Sequence, residues 1–318
     1  MRRARAIRAS AWALVLAGTA APLMRKRVSA PPLVTQGVAF AAPVALCVAL
    51  RRSRGRDVAT CALQMWAYLA AYKTPHDDPG AQEQRVHIRY PIVADCVLGF
   101  GELPSVRLQR ALARTGPQGP QWRTLDRVLV WAHWGWFLVP HAALLYILAR
   151  EPARFERAAV LTYAVFDVGA SFYWVIPTAP PWFAVSGDRQ LAEAGEGVAV
   201  RRMMVEYGEF FWKDGWGSLY SVFGGNPLAA MPSLHFATSA MAAMLLAEVS
   251  PVAGALGAAY AATLSFALVY LGEHYLVDLI GGAALTAGVR VLGPRAGPVL
   301  ARAAGAVAAL ERLAHEEA

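Results

Sequence analysis

The chain has 318 residues, of which 57% are hydrophobic and only 16% charged; an ordinary soluble domain carries roughly 25% charged residues, so a soluble globular protein is excluded and an integral membrane protein is expected. The net charge is +8, from 30 Lys and Arg against 22 Asp and Glu. Such a balance suits nucleic acid or an anionic lipid surface, and its clustering between apolar stretches, as in Arg51-Arg52-Ser53-Arg54-Gly55-Arg56, argues against nucleic acid.

The N-terminus carries Arg2, Arg3, Arg5 and Arg8 ahead of an apolar run over residues 11–24. This resembles a signal peptide, but Arg25, Lys26 and Arg27 follow at once, with Pro31-Pro32 beyond and no clean small-residue cleavage site. A short first span or an interfacial helix is expected there. Apolar runs over residues 32–50 and 58–72 come next. Residues 73–125 carry scattered charge, with Arg89-Tyr90-Pro91 and Leu103-Pro104 ahead of Arg107, Leu108 and Arg110, the pattern of short amphipathic helices lying at the interface. Further spans are expected over residues 127–148, 158–176, 233–248, 252–271 and 275–292. Unbroken apolar runs exclude the alternation of a β-barrel, so the fold class is all-α, a polytopic helix bundle. The expected organisation is an N-terminal membrane segment with a basic loop over 1–57, one catalytic membrane domain over 58–293 and a cytoplasmic tail over 294–318.

Short loops set the orientation. The basic residues at 51–56, Arg150, Arg154 and Arg157, and Arg290, Arg295 and Arg302 mark cytoplasmic loops by the positive-inside rule. Residues 73–125 and 178–228 then face the other side. Cys47, Cys61 and Cys96 have no paired spacing and read as free, buried thiols.

Two histidines fall at membrane-boundary depth on that outer face: His235 in Met231-Pro232-Ser233-Leu234-His235, and His274 in Gly272-Glu273-His274-Tyr275. Ionisable residues there are costly and default to function. Asp278 follows His274 by four residues, which on a helix places both on one face. A carboxylate that accepts one imidazole N–H fixes the tautomer and frees the other nitrogen to attack, while a second histidine can protonate a leaving oxygen. Pro232 and Ser233 open the His235 helix, whose N-terminal N–H groups and Ser233 hydroxyl suit an anion. The alternative is a zinc site built from His235, His274 and Asp278; the plainest alternative is that each histidine is a structural helix–helix contact.

An anionic phosphoryl group needs cations, and those on the outer side are Lys73, Arg89, Arg201, Arg202 and Lys213, each of which could instead snorkel to the interface. Trp174, Trp182, Phe183, Phe210, Phe211, Trp212, Trp216, Tyr220 and Phe223 crowd the outer loop, as an interfacial belt or as a shield over a lipid headgroup. The Gly224-Gly225-Asn226-Pro227 run reads as a turn, since the spacing of a phosphate loop is absent.

Pro232-Ser233-Leu234-His235 and His274-Tyr275-x-x-Asp278 resemble the second and third motifs of the type 2 phosphatidic acid phosphatase superfamily. Thr178-Ala179-Pro180-Pro181-Trp182 and Tyr270-Leu271-x-x-His274-Tyr275 are more similar to its inositol phosphotransferase branch, which includes fungal inositol phosphorylceramide synthase. The resemblance covers roughly residues 158–282. It implies a six-helix core, here with one or two N-terminal helices added, and a site on the non-cytoplasmic face. It implies a phosphohistidine on His274, orientation by Asp278, acid catalysis by His235, and neither metal nor cofactor.

Two departures stand out. Ala267 and Leu268 occupy the positions where the phosphatase pattern has Ser-Arg, and Gly80 stands where the first motif would follow Lys73 with arginine. The expected partners are a lipid phosphoester donor, with phosphatidylinositol in view, and a lipid alcohol acceptor. Hydrolysis of a lipid phosphate or polyprenyl diphosphate, with water as acceptor, is the alternative, and a lipid-binding or transport protein without turnover is the third. Heavy Ala, Arg and Gly usage suggests a bacterial plasma membrane.

Overall fold

The computed structural model describes residues 2–25, 27, 30–117, 119–184, 200–223 and 225–316. Lys26, the middle of the expected outer loop at 185–199, and Gly224 of the turn signal lie outside the described residues. The elements are α1 (Arg2–Met24), α2 (Pro32–Ala49), α3 (Arg54–Lys73), α4 (Pro79–Glu83), α5 (Arg89–Leu98), α6 (Pro104–Leu112), a two-stranded antiparallel pair β1 (Arg114–Gly116) and β2 (Gly119–Gln121), α7 (Thr124–Gly135), α8 (Val139–Arg150), α9 (Pro152–Val175), α10 (Pro181–Ala184), α11 (Met203–Trp212), α12 (Gly215–Phe223), α13 (Leu234–Ala247), α14 (Pro251–Tyr270) and α15 (Leu276–His315).

Among the described residues α1, α2, α9, α14 and α15 are long and apolar enough to cross a membrane, and α7 with α8 passes the same test as a pair bent by 61°. Several expectations are corrected here. The first apolar run is a helix of 23 residues, not a short one. The run expected at 58–72 forms α3, but Arg54, Arg56, Asp57 and Lys73 leave it outside that group of spans. The span expected at 127–148 is broken between Gly135 and Val139, with Pro140 at the start of its second half. The helix expected at 233–248 has 14 residues, about 21 Å, which is shorter than a bilayer core. The last span continues without interruption to His315, through Pro294 and Pro298, so the expected tail is helical. The interfacial segment does resolve into short helices, α4 to α6, and the three cysteines are free but half-buried rather than buried.

The chain forms two compact units. The first comprises residues 1–74, 159–163 and 288–318. Its α1 buries Ala11, Val15, Gly18 and Pro22, a stripe at helical spacing, and α2 buries Ala39, Ala42, Leu46 and Ala49 in the same way. Small residues let the two backbones approach: a Cβ on Gly18 would lie 2.6 Å from that of Ala42. Ser53 caps α3 by accepting from the Arg56 N–H, and the buried Arg56 guanidinium reaches Glu311 at 2.7 Å and the carbonyls of Cys47 and Leu50.

The second unit comprises residues 75–158 and 164–287. Here α13 and α14 form a hairpin, α14 also packs on α6 and α7, and α8 packs on α13. One apolar cluster joins Leu129, Val130, Met203, Met204, Tyr207, Ala267, Tyr270 and Leu271. The Thr178 segment is held on both sides by backbone bonds, donating to Leu228 and accepting from Ala230, while Ala179 donates to His87. The buried Asn226 side chain accepts from Gln82 and from the Leu228 N–H.

Candidate active site

The starts of α13 and α15 are drawn together by backbone contact. The Ser233 N–H donates to the Asp278 carbonyl at 2.9 Å, and the Thr286 hydroxyl on α15 donates to the Ala237 carbonyl on α13 at 2.9 Å. Gly282 makes this approach possible, since a Cβ there would come 2.6 Å from the Ser233 carbonyl oxygen. Ser233 caps α13 through its hydroxyl oxygen, which accepts from the Phe236 N–H, and its side chain is fully buried. The Ser233 oxygen expected to line an anion site is thus the cap acceptor of α13, while its O–H remains a donor.

His274 does not share a helix with Asp278, as the four-residue spacing suggested. Gly272, at φ +80°, ends α14 in a Schellman turn, with Gly272 N–H donating to Val269 and Glu273 N–H to Leu268. That turn leaves His274 and Tyr275 ahead of α15, which begins at Leu276. Asp278, in the first turn of α15, reaches back: one carboxylate oxygen accepts the Tyr275 N–H at 2.9 Å and lies 3.1 Å from His274 Nδ1. The other His274 nitrogen, Nε2, faces His235 Nδ1 at 3.2 Å. His274 is 3% and Asp278 0% exposed, so this line of contacts is shielded from solvent along most of its length. The three groups form a chain rather than converging on one point, and among the described residues no set of three His, Cys, Asp or Glu side chains is arranged to hold a metal ion.

The five expected cations separate. Arg202 bonds Glu273, the neighbour of His274, at 3.1 Å, and its guanidinium lies 3.8 Å from the centre of the Trp182 ring and 5.6 Å from that of Tyr220. Burial opposes its charge, but the Glu273 carboxylate and Tyr220 outweigh burial and hold its pKa above the ordinary guanidinium value. Trp182 is tied to the same turn, its backbone N–H donating to the Gly272 carbonyl. Arg201 pairs instead with Glu206. Arg89 and Lys213 are exposed, at the start of α5 and the end of α11, and Lys73 belongs to the first unit. Ala267 and Leu268 are fully buried in apolar clusters and offer no donor.

Four further polar side chains organise this region without having been singled out in the sequence. Asp95, fully buried on α5, caps α15: its two carboxylate oxygens accept the N–H groups of Leu276 and Val277 at 3.0 and 2.8 Å. Burial, against the pull of those two bonds, raises its pKa to about 6. Gln109 on α6 donates to the carbonyls of Arg201 and Tyr270 and accepts from the Arg201 N–H, all at 2.9 Å. Asp126 on α7 accepts from the Tyr270 hydroxyl at 2.6 Å. His133, also on α7, stacks on His235. A charged or amide residue inside an apolar run was the available signal; the partners, 144 to 182 residues away for Asp126 and Asp95, leave no local trace. Around them Trp122, Trp134, Tyr207, Phe211, Trp212 and Trp216 pack ring against ring.

Comparison with known proteins agrees with this architecture. A family model described as PAP2 superfamily matches residues 121–292, more than half of the chain. An inositol phosphorylceramide synthase of Candida albicans is 26% identical over 231 residues, 71% of this chain and 46% of that protein. The inositol phosphorylceramide synthase catalytic subunit of Schizosaccharomyces pombe is 29% identical over 120 residues, 37% of this chain and 27% of that protein. The matched stretches thus span less than half the length of either relative. No solved structure matches the chain.

Proposed function

The chain belongs to the PAP2 superfamily, and we propose on that footing that it is a membrane phosphotransferase acting on lipid phosphoesters through a phosphohistidine on His274. The observation that carries this reading is the unbroken line of contacts from Asp278 through His274 to His235 at the starts of two helices. Asp278 holds the Nδ1 proton of His274, which leaves the Nε2 lone pair free to attack phosphorus. As the N–P bond forms, the P–O bond to the donor lipid breaks, and protonated His235 gives its proton to the departing oxygen. An acceptor hydroxyl then attacks the phosphohistidine, its proton passes to His235, and the P–N bond breaks. The phosphoryl group enters between the two facing nitrogens, and Arg202 balances its charge from beside Glu273.

Both relatives carry the name inositol phosphorylceramide synthase, which supports inositol phosphate as the headgroup and a lipid alcohol as the acceptor. The arginine-rich loops support a site on the extracytoplasmic face. Both relatives are fungal and do not support the bacterial membrane expected from composition. The test is purified protein in detergent, given headgroup-labelled phosphatidylinositol with an added lipid alcohol and, separately, phosphatidic acid. Label moving to the alcohol, lost in His274→Ala and indifferent to chelator, is the expected result. Release of free phosphate or headgroup alone makes water the acceptor, and equal signals from wild type and variant overturn the assignment.

A further inference from the structure

The His235 ring is held between two side chains of the broken span. His133 stacks on it at 5.0 Å between ring centres and 25° between planes, and Trp136, three residues on, packs against it at 4.1 Å. Trp136 is itself fixed, because its indole N–H donates to Thr238 on the same helix as His235, at 2.9 Å. His133 has no such anchor: both its ring nitrogens are buried, and among the described residues neither has a hydrogen-bond partner. A buried polar atom left unpaired is costly, and a phenylalanine would give the same packing without that cost. The arrangement is economical only if something absent from the free protein bonds the imidazole. The Ser-Arg donors of the phosphatase pattern are replaced here by Ala267 and Leu268, buried in apolar clusters.

We propose that His133 is a phosphoryl-binding residue, whose ring N–H donates to a non-bridging oxygen of the phosphoryl group held between His274 and His235. The proposal rests on the phosphohistidine reading above and adds a third histidine to it. Full-length protein in detergent is titrated with orthovanadate, a stand-in for the transferring phosphoryl group, and binding is followed by tryptophan fluorescence. Lipid turnover and ligand-free melting are measured on the same samples. His133→Phe is expected to melt no lower than wild type without ligand, because it removes two unpaired nitrogens. It is expected to bind orthovanadate about ten- to a hundredfold more weakly, the worth of one charge-assisted hydrogen bond. His133→Gln, which keeps an N–H donor, recovers part of the binding; should His133→Phe fail to fold, His133→Gln against His133→Ala supplies the same contrast. Wild-type orthovanadate affinity in His133→Phe, with turnover still abolished by His274→Ala, overturns the role of His133 alone. Turnover that survives His274→Ala overturns the phosphohistidine reading, whatever His133 does.

Discussion

The two units of this chain are both helical, but they are held by different forces. In the first, α1 and α2 meet through Ala11, Val15 and Gly18 on one side and Ala39, Ala42 and Leu46 on the other, with buried Arg56 paired to the half-buried Glu311. In the second, the decisive buried groups are polar: Asp95 on the first turn of α15, Gln109 across two backbone segments, Asp126 on Tyr270, and Asp278 on His274. Small apolar contacts spread stability over many interchangeable residues. A few buried hydrogen bonds concentrate geometry in residues that have no substitute, and that is how reacting atoms are held in place.

Substitutions should sort along this line. The largest effect is expected from His274→Ala, which removes the attacking nitrogen and should lower turnover at least about a thousandfold with the melting temperature little changed; a loss below tenfold would remove the distinction between the units. Asp278→Asn should lower kcat by about a thousandfold, because an amide can present its N–H to His274 and favour the wrong tautomer. Arg202→Gln should raise KM about tenfold, whereas Arg201→Gln, whose guanidinium pairs with Glu206 rather than with the neighbour of His274, should shift it no more than about twofold; parallel initial-rate curves check the pair.

In the first unit the expectation reverses. Arg56→Ala should lower stability by about 2 kcal/mol, less than a fully buried pair would because Glu311 is 24% exposed, while kcat of the folded fraction stays at the wild-type value. The smallest expected effect is the pH dependence carried by Asp95, isolated by comparison with Asp95→Asn. Between the ordinary carboxylate pKa of about 4 and the native value of about 6, folded Asp95 holds a proton that the unfolded chain has released. Its contribution therefore favours the folded state at the acid end and is lost as pH rises from about 4 to about 6. Melting curves across that window should show this slope in wild type and lack that component in Asp95→Asn.

What could be read from the sequence followed the same division. Apolar runs announced α2 and α14 almost to their ends and α9 without its first turns from Pro152, and the His235, His274 and Asp278 segments were legible because charge at membrane depth is rare. The broken span and the fully helical C-terminus were not, because Pro140, Pro294 and Pro298 have opposite outcomes: one opens a helix after a bend, the other two sit within one. Spacing also misplaced His274, since Gly272 ends one helix just where His-x-x-x-Asp suggested another should run. Asp95 and His133 remained hidden because neither differs locally from any other polar residue in an apolar stretch; only the fold brings one to the start of α15 and the other against His235.

A phosphohistidine on His274 can be trapped directly. Protein in detergent is mixed with phosphate-labelled donor lipid in the absence of acceptor, quenched in alkali and digested. Label is expected on the peptide containing His274, stable to alkali, labile to acid and released on adding a lipid alcohol before the quench. No label, or label on a peptide without His274 under conditions where the protein turns over, would contradict it.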